Sequence, residues 1–158
     1  MSSRRVLLLV TARGGGYEDY YTKAVRYGGK DVSASGFSPA ASGMLEVVIA
    51  NDGGQVEGTV VDEQQKPCDG ALVVAVPAPE YRRQRDLYVF GTTDQNGKFT
   101  LRGIKPGEYK VFAWDSAEGT DYWNAEFLKV YEAVGQPLQV DRNSRASIVL
   151  KVISTIDE

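Results

Sequence analysis

Hydrophobic and polar residues alternate twice within residues 91–114. Phe99 and Leu101 are flanked by polar residues, and Tyr109 and Val111 repeat the same spacing after a short break. A period of two is typical of a β-strand that buries one face. Asp, Asn and Gly precede the first stretch, and a Pro-Gly pair separates it from the second. Because these residue types suit tight turns, the pattern predicts two neighbouring strands joined by turns.

The same period continues through most of the chain. Val56, Gly58 and Val60 share one face of a strand predicted at residues 55–62. The last predicted strand, residues 146–153, is apolar on both faces, which favours the centre of a sheet or a subunit contact. Further strands are predicted at residues 6–10, 20–26, 45–50, 71–76, 87–93 and 138–140.

One segment, residues 124–134, has a helical period instead. Asn124 is suited to cap its first turn, and Gly135 is suited to end it in a left-handed conformation. Apolar residues recur at spacings of three and four, as on the buried face of a surface helix. The predicted apolar stripe consists of Phe127, Val130, Tyr131 and Val134. Together these patterns predict an all-β fold with one short helix.

The composition argues against most catalytic and nucleic-acid-binding classes. The chain of 158 residues has a net charge of −3, so it offers no basic field to nucleic acid. It contains no histidine, the commonest metal ligand and general base at neutral pH. Its one cysteine, Cys68, can form no internal disulfide. We therefore predict no catalytic residue, metal site or cofactor, and no apolar run approaches the ~20 residues of a membrane span.

The motif T-D-x-x-G-x-F-x-L at residues 93–101, followed by G-I-x-P-G-x-Y-x-V at residues 103–111, resembles the signature of carboxypeptidase regulatory-like domains. These domains are similar to transthyretin and to the Cna-B-type repeats of surface proteins, and the resemblance extends over residues 54–153. It implies an Ig-like or prealbumin-like β-sandwich of about seven or eight strands without catalytic activity. It also implies a bacterial protein that is extracellular or part of the cell envelope.

The N-terminal third is predicted to be an incomplete domain. Residues 1–53 resemble the last strands of a similar domain, and residues 54–158 resemble the complete sandwich. Residues 6–10 follow two arginines as in a signal peptide, but this apolar run is shorter than the roughly seven to fifteen residues of a signal, so a strand is favoured. Too few strands remain to close a sandwich. They either join the main sheets, pair with another copy, or belong to a longer protein. The candidate strand-exchange contacts are Val6, Leu7, Leu8, Leu9, Val10, Val47 and Ile49.

These patterns favour a non-enzymatic structural or interaction module that self-assembles into a homo-oligomer or filament by strand pairing. The alternative is a carbohydrate-binding module with a glycan partner, because several aromatic residues could form a stacking surface. We favour a competing interpretation of these residues, in which the helix covers them, since its apolar stripe needs a surface. The candidate ligand or partner surface consists of Tyr88, Phe90, Trp114, Tyr122 and Trp123.

Overall fold

The computed structural model describes residues 16, 18–33, 35–39, 43–118 and 120–155. Within this part, one α-helix, α1, spans Ala125–Tyr131, and short 3-10 helices lie at Pro79–Tyr81, Arg85–Leu87 and Glu132–Val134. The strands are β1 Tyr21–Tyr27, β2 Lys30–Asp31, β3 Leu45–Ala50, β4 Gly54–Val61, β5 Leu72–Pro77, β6 Val89–Thr92, β7 Lys98–Ile104, β8 Gly107–Trp114, β9 Gln136–Val140 and β10 Arg145–Lys151.

Strands β4 to β10 form two sheets that pack face to face. In the described part of the chain, one sheet has the order β10-β4-β7 and the other β6-β5-β8-β9. β10 runs parallel to β4, whereas the other pairs in these sheets are antiparallel. Successive side chains of a strand point to opposite faces, so alternate residues of both sheets meet in one core. The predicted all-β sandwich with one short helix is confirmed. Its most deeply buried side chains include Val56, Val60, Val73, Leu101 and Val111.

The last strand is an edge strand, so its predicted position in the centre of a sheet is wrong. Among the described strands, β10 pairs with β4 alone, and Val149 on its outer face is 69% exposed. The chain then crosses to the other sheet, where the Ile153 amide donates to the Ala113 carbonyl at 2.7 Å. Ile153 packs against the outer face of that sheet. One apolar face of the segment therefore packs in the core through Leu150, whereas on the other face Val149 is exposed and Ile153, beyond the strand, packs against the second sheet.

The N-terminal strands form a sheet of their own, with the order β2-β1-β3 in the described part. The strands predicted at residues 20–26 and 45–50 are confirmed within one residue. Val25 is buried, and the rings of Tyr27 and Phe37 stack with centroids 4.6 Å apart. The strand predicted at residues 6–10 lies outside the described residues. The division into residues 1–53 and 54–158 stays a prediction.

This small sheet is fastened to the sandwich just before β1. The Asp19 carbonyl accepts from the Gly53 amide at 3.0 Å, and its carboxylate accepts from Arg102 at 3.0 Å. Gly103 has a φ of +72°, and a Cβ there would lie 2.7 Å from the carbonyl oxygen of Glu18. Glycine is required here on both counts, because it tolerates positive φ and allows the two backbones to approach. The N-terminal segment therefore rests against β7.

Candidate partner and ligand surfaces

α1 lies over the outer face of the four-stranded sheet, where the sequence placed most of the candidate ligand surface. Phe112 and Trp114 are buried there, and Trp114 is 0% exposed. Their rings stack with centroids 5.2 Å apart, and Tyr131 of α1 meets the Trp114 ring edge-on at 5.7 Å. A ligand could reach Trp114 only if α1 moved away. This part of the aromatic face is covered by the helix.

The start of α1 is as predicted, but its end is not. The Asn124 side-chain oxygen accepts from the amides of Glu126 at 2.8 Å and Phe127 at 3.3 Å, which confirms the predicted cap. Gly135 has φ −68° and ψ 137°, an extended conformation, so the predicted left-handed ending is wrong. β9 begins at the next residue, so the chain must already be extended. A Cβ at Gly135 would lie 2.7 Å from the ring of Phe112, which explains the glycine by close packing.

The predicted apolar stripe of α1 is partly wrong. Phe127 and Tyr131 pack on the outer face of the sheet as expected, but Leu128 is the most deeply buried residue of the helix. Val130 is 76% exposed, and Val134 is also exposed. Successive residues of an α-helix are rotated by about 100° around its axis. If the buried face is centred between Phe127 and Leu128, the Val130 side chain points roughly 100° away from the centre of that face. The sequence contains two possible stripes, and the sheet selects one of them.

Three of the predicted surface residues meet at the surface beside the helix. Phe90, Tyr122 and Trp123, named here the aromatic patch, are exposed or half-buried, with Phe90 53% exposed. The Tyr122 ring centroid lies 6.3 Å from that of Phe90 and 5.3 Å from that of Trp123. The Arg85 guanidinium carbon lies 4.7 Å from the Trp123 ring centroid, within the range of a cation–π contact. Tyr88 is buried beneath the patch.

A cluster of three charged residues, Arg82, Lys110 and Glu132, named here the charged strap, was not anticipated from the sequence. Arg82 donates from two nitrogens to the two carboxylate oxygens of Glu132, both at 3.0 Å, and Lys110 donates to the Glu132 carbonyl at 3.0 Å. The hydrogen bonds from Arg82, and then the contact of Lys110 Nζ with Glu132 Oε1 at 3.2 Å, hold the pKa of the Glu132 carboxyl below its usual range. The strap borders a cleft of about 380 Å³. Its members are far apart in the chain, so no local pattern could reveal it.

The two described strand-exchange candidates lie on β3, at the rim of the small sheet. Among the described strands, β3 pairs with β1 alone. Ile49 is 48% exposed and Val47 is half-buried, while Leu45 and the preceding Met44 are exposed. The other five candidates, residues 6–10, lie outside the residues that the structure describes.

Reactive groups are sparse in the described part of the chain. No group of three or more His, Cys, Asp or Glu side chains is placed there to hold a metal ion. Burial raises the pKa of the Cys68 thiol, and the charges of Asp62 and Asp115 raise it further, which disfavours the reactive thiolate. None of the helices in the described ranges has the length and apolar character to traverse a bilayer.

Comparison with protein families gives one match. The model of the carboxypeptidase regulatory-like domain matches residues 55–150. A comparison with curated proteins found no match.

Several solved structures are similar to part of this chain, each of the following with a TM-score below 0.5. The Bacillus anthracis TIE protein is 17% identical, with a TM-score of 0.40 and coverage of 69% of this chain and 19% of that chain. The major pilin subunit BcpA of Bacillus cereus is 18% identical, with a TM-score of 0.39 and coverage of 68% and 31%. The minor pilin GBS52 of Streptococcus agalactiae is 12% identical, with a TM-score of 0.45 and coverage of 85% and 61%. The chain thus spans less than two thirds of each of these proteins.

Proposed function

The chain belongs to the carboxypeptidase regulatory-like domain family, and from this membership we propose that it is a non-catalytic structural and interaction module. It acts outside the cell or in the cell envelope and associates with further copies of itself by strand pairing. The observation that carries this proposal is the apolar rim of β3.

The rim of β3 lacks the features that normally prevent edge pairing. An edge strand presents unpaired backbone N–H and C=O groups, and proteins protect such edges with charges or proline. β3 has the sequence LEVVIA, with no proline and one charge, Glu46. Arg26 of the same sheet neutralises that charge at 3.1 Å. The strand therefore offers both backbone hydrogen bonds and an apolar side-chain surface.

Three of the four edge strands of the described sandwich are better protected, whereas the fourth, β6, has the sequence VFGT with neither charge nor proline. β10 carries Arg145 and Lys151 at its two ends, β7 carries exposed Lys98 and Arg102, and β9 contains Pro137. Charges oppose the approach of a second strand, and proline removes a donor from the ladder. β3 is thus better suited to receive a strand than β7, β9 or β10, and with six residues it is longer than the four-residue β6.

The proposed occupant of this edge is residues 6–10 of a second copy. Their sequence, VLLLV, is apolar throughout, so it suits a strand buried on both sides of a sheet. Val47 and Ile49 would contact the incoming side chains, and main-chain hydrogen bonds would supply affinity. Reciprocal exchange gives a closed dimer, whereas head-to-tail exchange gives a filament.

Sedimentation velocity over a range of protein concentrations, with negative-stain imaging, tests this proposal. We expect association of the natural chain, and monomers for both Ile49→Lys and a deletion of residues 1–16. Val130→Lys is the matched control, because Val130 is also exposed but lies on α1. Circular dichroism verifies that each variant keeps its strand content. A natural chain that is monomeric throughout, or variants that associate like the natural chain, would contradict the proposal.

The aromatic patch supports a second candidate function, glycan binding. Three rings at the surface beside a guanidinium group can stack on the apolar face of a sugar ring. Soluble oligosaccharides should then change the fluorescence of half-exposed Trp123 while buried Trp114 contributes a constant background. Trp123→Phe should remove the change. A change that persists in this variant would locate binding elsewhere and rule out the patch.

A further inference from the structure

Arg85 brings a positive charge to the aromatic patch. Its guanidinium carbon lies 4.7 Å from the Trp123 ring centroid, and no hydrogen bond or ion pair joins its side chain to another described residue. An arginine has five N–H donors in a fixed plane, and stacking on a ring holds that plane without using them. Four other described arginines are each paired with a carboxylate, namely Arg26, Arg82, Arg102 and Arg142. Arg85 is therefore held in place with its donors open to a ligand.

The adjacent carboxylate, that of Asp86, does not neutralise Arg85. Burial raises the pKa of the Asp86 carboxyl group, and the positive charge that acts against this rise is that of Lys105. Burial also raises the pKa of the Tyr109 hydroxyl, and the charge of Asp86 raises it further. Asp86 therefore faces Lys105 and Tyr109, and the charge of Arg85 is left to the patch.

The charge of Arg85 also acts on the floor of the patch. Tyr88 lies there, with its ring centroid 6.0 Å from that of Tyr122 and 6.4 Å from that of Trp123. Burial raises the pKa of the Tyr88 hydroxyl, while the charges of Arg82 and Arg85 act in the opposite direction. No carboxylate in the described part of the chain is among the groups that act on it. Since Arg82 is engaged in the charged strap, Arg85 is the cation that a ligand can reach.

Two exposed carboxylates limit how much negative charge the patch can accept. Asp121 directly precedes Tyr122, and Glu126 lies at the start of α1, three residues after Trp123. Neither forms an ion pair with a described residue, so both repel anions over a Debye length of about 8 Å. The chain as a whole has a net charge of −3. A densely charged polymer is therefore disfavoured, whereas a single carboxylate bound at Arg85 fits the balance of charge.

The rings beside Arg85 favour a ligand with an apolar ring face. Phe90 is 53% exposed, and its ring is inclined by 40° to that of Tyr122, with the centroids 6.3 Å apart. β6, which carries Phe90, has the sequence VFGT and adds no charged side chain. The guanidinium of Arg85 occupies one face of Trp123. A sugar ring can therefore stack on Phe90 and Tyr122, with the positive charge at its end.

We propose that the aromatic patch binds an acidic oligosaccharide and places the carboxylate of a uronic acid unit at Arg85. The assignment rests on the glycan-binding function proposed above and adds the class of sugar. Arg85 donates two parallel N–H bonds to the carboxylate, the geometry that arginine favours for this group. The pyranose face of the same unit, or of the adjoining one, stacks on Phe90 and Tyr122. Trp123 keeps the guanidinium plane in position through the cation–π contact.

Isothermal titration calorimetry of the full chain tests the proposal. The probes are trisaccharides of galacturonate, glucuronate and mannuronate, each compared with its own methyl ester, which keeps the rings and removes the charge. We expect at least one acid to bind roughly tenfold or more tightly than its ester, as a charged hydrogen-bonded pair predicts. Arg85→Gln should reduce binding of the acid to the level of the ester and leave the ester unaffected. Added salt should weaken binding of the acid more than that of the ester.

Arg83→Gln is the matched control, because it removes the same charge from an exposed arginine two residues earlier. It should bind the acid like the natural chain. Equal affinities for every acid and its ester, or undiminished acid binding by Arg85→Gln, would overturn the acidic class while glycan binding stands. No binding of any trisaccharide at millimolar concentrations would contradict glycan binding itself, and the acidic class with it. Tighter binding of a short polyglutamate would assign Arg85 to acidic polypeptide and overturn the sugar assignment.

Discussion

At the scale of single residues, the ionised carboxylate of Asp86 destabilises the folded state at neutral pH. It lies half-buried in the β5–β6 loop. Burial raises the pKa of its carboxyl group, while a hydrogen bond from its own backbone amide and the charge of Lys105 act in the opposite direction. A raised carboxyl pKa means that the folded state favours the protonated form. The contribution of Asp86 to stability is therefore fully present below the unfolded pKa and is lost as pH rises through the folded pKa.

Replacement of Asp86 by Asn should therefore stabilise the protein at neutral pH. The amide has a similar shape and no charge to desolvate, so the variant should unfold at a higher temperature than the natural chain. This difference should shrink near pH 3, because the Asp86 carboxyl group is then largely protonated in both the folded and the unfolded state. Thermal unfolding followed by circular dichroism at both pH values measures the effect.

Asp69→Asn is the control for this experiment, because Asp69 lies exposed on a turn. It should change the unfolding temperature little at either pH. A lower unfolding temperature for Asp86→Asn at neutral pH would show that the carboxylate contributes favourably there, contrary to the prediction.

At the scale of elements, α1 is held to the sandwich by a few apolar side chains. The helix has only seven residues, and helices of this length are not stable alone in water. Leu128 inserts between residues of the outer aromatic face, and Phe127 and Tyr131 pack around it. The helix exists because the sheet provides an apolar surface for this stripe, and the Asn124 cap fixes where it begins.

Truncation of Leu128 to Ala should consequently destabilise the protein by about 2–5 kcal/mol, the range measured for buried leucines. Part of the loss comes from the removed contacts and part from the cavity left on the outer face of the sheet. Denaturant unfolding, followed by tryptophan fluorescence, measures this loss and reports the exposure of Trp114.

Val130 lies two residues after Leu128, on the exposed side of α1. Val130→Ala should therefore alter the free energy of unfolding by no more than about 0.5 kcal/mol. Equal effects of the two truncations would mean that α1 does not pack on the sheet through Leu128.

At the scale of the whole molecule, a hydrogen-bonded bridge joins the small sheet to the β9–β10 turn of the sandwich. The Tyr21 hydroxyl donates to Asp52 Oδ1 at 2.8 Å, and Arg142 Nε donates to Asp52 Oδ2 at 2.6 Å. The Tyr21 hydrogen bond, followed by that from Arg142, holds the pKa of Asp52 below its usual range. Burial and the bond to Asp52 raise the pKa of Tyr21 to about 12. The bridge thus remains intact across the neutral range.

This bridge affects the proposed assembly. A small sheet fixed to its own sandwich presents the β3 rim in one direction, so a donated strand meets a preorganised edge. Preorganisation reduces the ordering cost of association. In a head-to-tail exchange, the fixed angle between rim and sandwich would repeat from copy to copy and give a regular filament.

Local patterns in the sequence determined the elements of this fold. Alternation placed the strands, turn residues placed their ends, and Asn124 placed the start of the helix, because each depends on residues close together in the chain. The motif at residues 93–111 also pointed to the family that matches residues 55–150.

Only the tertiary structure decided how these elements use their surfaces. The sheet selected Leu128 over Val130 as the buried residue of α1, and the pairing of β10 with β4 alone left a segment that is apolar on both faces at the edge of a sheet. The ion pair between Arg82 and Glu132 likewise depends on a partner distant in the chain. Periodicity records which residues are apolar, whereas the neighbour that each residue meets is determined by long-range packing.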